Sequence, residues 1–81
     1  MTIEELKVEL AIILSEEERA DADWAHIGAL SRRLRELLLR NPPAGYPDVL
    51  VEEYLIGTDR RRDDSVFAHS QRSWLVAFLR T

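Results

Sequence analysis

Counting from Ile3 in steps of three and four residues visits positions 6, 10, 13, 17, 20, 24, 27, 31, 34 and 38. Only Glu17 and Ser31 in that series are not apolar. Apolar residues at this spacing form one face of an α-helix, so the first half of the chain has two ways to fold. One unbroken helix would be about 57 Å long at 1.5 Å per residue. A compact chain of this size has a radius of gyration of only about 12 Å, so such a helix would need a partner chain to bury it. The alternative is a helical hairpin. Glu17 interrupts the seam, and "ADAD" at residues 20–23 places poor helix formers that cap well just after it. We adopt the hairpin as the expectation, with Ser15 and Glu18 offering an earlier position for the turn.

The remaining boundaries follow from caps and breakers. Thr2 with Glu5 is a capping-box pattern that starts helix 1 near Ile3, and Asp23 is the N-cap expected for helix 2. Helix 2 must stop before "NPPAGYP", where two prolines and a glycine forbid continuation. "PDVLVEEYLIG" then reads as a short third helix ending at Gly57. Its apolar residues surround nearly the whole circumference, which predicts a central position. "GTDRRRDDS" reads as a charged loop, and the last segment as an amphipathic helix capped by Asp64 or Ser65. Gln71 falls in the middle of that helix's apolar face and needs hydrogen-bond partners if buried. The expected fold is one all-α domain over residues 1–81, a small four-helix bundle made of a hairpin, a short third helix and a closing fourth.

Composition narrows the function. Cysteine is absent, which removes disulfides and thiolate metal sites and gives no reason to expect an oxidising compartment. The longest apolar run is "LAIIL", far short of the roughly 20 residues that span a bilayer, and the first ten residues carry glutamates where an export signal carries positive charge. A cytoplasmic protein is the expectation. Charge is uneven: eight acids against two bases up to Asp23, then seven acids against nine arginines, with a net charge of −4 for the whole chain. This sets an acidic first helix beside a basic second one.

No catalytic pattern is present. Asp23 and His26 stand three residues apart on one helix, but two groups do not complete a metal site, and His69 has no sequence neighbour to act with. A non-enzymatic protein without cofactor or metal is the expectation. For nucleic acid, Arg32, Arg33, Arg60, Arg61 and Arg62 are the available cations, but Asp59, Asp63 and Asp64 neutralise the triplet. That makes a nucleic-acid-binding regulator the second reading. The charges around the triplet are otherwise explained by the ends of the flanking helices, positive after one and negative before the next.

The first reading rests on surplus apolar surface. Val8 and Ile12 lie on the side of helix 1 away from the stripe, and Val66 and Val76 lie off the main face of the last helix. Ala25 and Ala29, one turn apart, would permit close helix approach. These six residues are the expected interface of a protein–protein interaction module that associates with another chain, as a homodimer.

Overall fold

Thr2 opens the first helix by the reciprocal bonding its sequence foretells: its hydroxyl accepts from the Glu5 backbone N–H, and the Glu5 carboxylate accepts from the Thr2 backbone N–H. From there the computed structural model describes all residues from Met1 to Thr81 as an all-helical chain. The helices are α1 (Ile3–Glu17), α2 (Trp24–Arg40), α3 (Asp48–Ile56), α4 (Thr58–Asp63) and α5 (Ser65–Leu79). No helix is long and apolar enough to cross a membrane.

The long-helix alternative is excluded. The chain leaves α1 at Glu18 and re-enters helix at Trp24, where the Asp23 carboxylate caps α2 by accepting from the His26 backbone N–H at 3.1 Å. The longest principal extent of the molecule is 33 Å and its radius of gyration 11.9 Å. Helices α1 and α2 therefore pack against each other as a hairpin. α3 and α4 lie along α2, and α5 closes the bundle against α1, α3 and α4.

Two expectations are corrected here. The fold has five helices and not four, because the arginine-rich stretch is itself a helix. Asp59 stands in the first turn of α4 and Arg60, Arg61 and Arg62 in its last, a charge order that suits the dipole of α4, while Asp64 caps the start of α5 as expected. A single residue, Gly57, separates α3 from α4. A Cβ added there would stand 2.9 Å from Gln71 Oε1 and 3.0 Å from the Glu53 carbonyl oxygen, so a side chain would crowd this junction.

The second correction concerns α3, which is not central. Val51, Tyr54 and Leu55 are buried, whereas Val49, Leu50 and Ile56 face outward, Ile56 at 61% exposure. A nine-residue helix with neighbours only on its inner side cannot cover its whole circumference. The core is built from Leu6, Leu10, Ile13 and Leu14 of α1, Ile27, Leu34 and Leu38 of α2, the buried trio of α3, and Leu75 of α5. Trp74 stacks on Phe78 along α5, and Lys7 of α1 lies over the Phe78 ring, 5.4 Å from its centre.

Candidate functional site: a buried carboxylate, its cleft and the outer face of the hairpin

The two polar residues in the apolar stripe, Glu17 and Ser31, are both buried. Burying a carboxylate demands full compensation, and four donors converge on Glu17. Arg61 Nε reaches its Oε1 at 2.8 Å and Arg61 Nη2 its Oε2 at 3.0 Å, a bidentate fork. The Tyr54 hydroxyl donates to Oε2 at 2.6 Å and Arg72 Nη2 to Oε1 at 3.1 Å. The side chains of Glu17 and Arg61 are wholly inaccessible to solvent.

Arg61 uses every donor it has. Beyond the two bonds to Glu17, Nη1 donates to the Tyr54 carbonyl and to Gln71 Oε1, and Nη2 to the Thr58 hydroxyl at 3.4 Å. Its guanidinium carbon lies 3.8 Å from the centre of the Tyr54 ring. The Thr58 hydroxyl reaches Ser31 Oγ at 3.3 Å, and Gln71 Nε2 donates to the Glu53 carbonyl at 3.3 Å. One network thus takes a residue from each helix: Glu17, Ser31, Tyr54, Thr58 with Arg61, and Gln71 with Arg72. Burial pushes the Tyr54 phenol well above its ordinary range, and the adjacent Glu17 carboxylate pushes the same way, against the opposing pull of Arg61 and Arg72.

Above this network lies an open cleft of about 980 Å³ between the end of α1, the start of α2 and the α4–α5 corner. Glu17, Arg61 and Arg72 border it from one side, and Trp24, Ala68 and Val76 supply its apolar lining. Arg62 and Asp63 stand on its α4 wall, joined by two bonds of 3.0 Å.

The predicted interface residues divide between surfaces. Val8 and Ile12 are 59% and 45% exposed on α1, and Ala25 and Ala29 are exposed on α2 of the same hairpin. Val8 shares a groove of about 470 Å³ with Met1 and Leu37, rimmed by Glu4, Glu5 and Glu9. The two α5 residues lie elsewhere. Val66 is 79% exposed at the start of α5, and Val76 is half-buried against the core and lines the cleft.

Of the five arginines read as an alternative anion contact, Arg61 is removed by the structure, since an internal carboxylate consumes it. Arg60 lies over the Phe67 ring at 4.0 Å and Arg62 is held by Asp63. Arg32 and Arg33 are exposed on α2, Arg32 in a small groove that also contains Asp59 of α4. Asp23 serves as a helix cap for His26, and no group of three or more potential metal ligands is found.

The sequence marked Arg61 only as an alternative anion contact and gave no site role to Tyr54 or Arg72. The available signal was the pair of polar residues on apolar faces, Glu17 and Gln71, each of which demanded a partner. No family model, curated protein or solved structure gives a significant match to the chain.

Proposed function

We propose that this chain is a non-enzymatic interaction module that self-associates as a homodimer through the outer face of its α1–α2 hairpin. The observation that carries the reading is the groove in which Val8 and Leu37 stand exposed together, with Ile12 one turn along α1 from Val8. Apolar residues that are exposed singly need no explanation, but a groove that groups them on two adjacent helices favours a contact.

Charge favours a second copy as the occupant. The α1 side of this face carries Glu4, Glu5 and Glu9, and on α2 the exposed Arg33 and Arg40 stand one turn to either side of Leu37. A two-fold axis parallel to the hairpin sets α1 of each protomer over α2 of the other, so acid meets base twice and the apolar seam is covered between them. Within each protomer the buried cluster acts as a structural tie, because Glu17 and Arg61 are fully occupied by each other and their neighbours. A cytoplasmic setting suits a chain free of cysteine.

Light scattering coupled to size-exclusion chromatography tests the reading. The expected mass at high concentration is twice the 9.4 kDa of one chain. Val8→Asp combined with Ile12→Asp should return it to the monomer value with helical content unchanged. A monomeric wild-type chain at every concentration, or a dimer indifferent to both substitutions, refutes the homodimer.

A further inference from the structure

Glu17 carries one negative charge, and it is shared by two arginines. Arg61 is saturated, but Arg72 is not. One of its five N–H groups reaches Glu17, and its buried Nε–H has no partner. The cluster therefore has one formal positive charge in excess, on a guanidinium whose side chain remains 27% exposed beside the cleft. The other acids of the cleft do not cancel it at close range: Asp63 is held by Arg62 through both oxygens, and Glu18 stands exposed in solvent, where its field is screened.

We propose that the cleft binds a small carboxylate carrying an apolar or aromatic group, with Arg72 taking the carboxylate and Trp24 and Val76 the apolar part. The charge count selects the head group. A single negative charge matches the single positive excess, and the planar guanidinium edge matches the two oxygens of a carboxylate. A phosphate dianion would exceed that charge. The tail follows from the walls, where Trp24 and Val76 supply the larger apolar surfaces of the cleft. The site is separate from the hairpin face and does not depend on dimerisation.

The test is a titration of the ¹⁵N-labelled chain with N-acetylphenylalanine, its uncharged amide and inorganic phosphate, followed by NMR. The acid should produce saturable shifts at the Trp24 indole N–H and the Arg72 Nε–H, with a dissociation constant on the order of 1 mM, as befits an open cleft. The amide should bind at least about tenfold more weakly. Arg72→Gln should abolish the acid's effect and Arg72→Lys, which keeps the charge but loses the fork, should weaken it several-fold, while Arg33→Gln leaves it intact. Identical shifts from acid and amide, no saturable shift with the acid, phosphate binding as well as the acid, or unchanged binding by a folded Arg72→Gln chain would each overturn the proposal. Should Arg72→Gln fail to fold, the comparison of acid with amide on the unaltered protein decides.

Discussion

Glu17 and Arg61 show how much one buried pair can demand of a small protein. Breaking such a pair from one side strands a charge in the interior, which costs about 3–5 kcal/mol, a large share of the roughly 5–15 kcal/mol that holds a domain folded. Glu17→Leu should therefore unfold or nearly unfold the chain in urea titrations followed by circular dichroism. The double variant Glu17→Leu with Arg61→Met should lose much less than the sum of the two single losses, because neither charge is then left alone. Additive losses would show that the two residues do not act as a pair. Tyr54 gives a pH-dependent counterpart. Its folded pKa is raised, so the native state keeps a phenolic proton that the unfolded chain releases. Its contribution is fully present below the unfolded value of about 10 and is lost as pH rises further. Thermal stability should fall above about pH 10 in the wild type, and the fall should be shallower in Tyr54→Phe, with the residue due to Tyr46, which burial also raises. Tyr54→Phe should in addition cost about 1.5–3 kcal/mol at neutral pH through loss of a hydrogen bond to a charged group. The need for such partners was legible at Glu17 and Gln71, which sit on apolar faces. Which of three adjacent arginines would answer was not, because the choice depends on the rotation of α4 about its own axis.

At the scale of the elements, the joint between α3 and α4 is the most constrained point. Gly57 has an ordinary φ of −89°, so its role is space rather than backbone freedom. Its neighbours include the Glu53 carbonyl oxygen, which is backbone and cannot swing aside, together with Arg61 Nη1 at 3.1 Å. Gly57→Ala should cost about 1–3 kcal/mol by overpacking and disturb the Arg61 network, read as a lower urea midpoint. Gly45 offers the contrast: its φ is +76° and nothing lies within 4 Å of an added Cβ, so there conformation sets the requirement. The capping residues Thr2, Asp23 and Asp64 were each readable from the chain, since a cap is a local hydrogen bond between residues two or three apart. The six residues of α4 were not readable. A single turn and a half is too short for periodicity to register, and its charge balance resembles that of a loop.

The whole molecule has an asymmetric charge surface, and the dimer proposed for it makes a prediction at that scale. Reversing the acids of α1 with Glu4→Arg and Glu9→Arg should weaken association. Reversing the bases of α2 with Arg33→Glu and Arg40→Glu should do the same. Mixing the two reversed chains with each other sets a basic face against an acidic one and should restore association as a heterodimer, and placing all four substitutions in one chain restores acid against base in a homodimer. Sedimentation equilibrium at low salt should show the quadruple variant dimeric and both double variants largely monomeric, with the difference shrinking as salt is added. If all three variants associate equally, acid-to-base contacts across the face contribute nothing to the dimer.

The amino-acid order alone was enough for the helical class, the caps, the proline break and the outward position of Val8 and Ile12, because each of these depends on residues within a turn or two of one another. It also marked Glu17 and Ser31 as exceptions in the stripe. Only the tertiary structure decided that those exceptions point inward and that Arg61 crosses from α4 to meet Glu17, 44 residues earlier in the chain. The reason is physical: a buried charge is tolerated only where its counter-charge arrives in three dimensions, and the distance along a chain carries no record of which distant residue that will be.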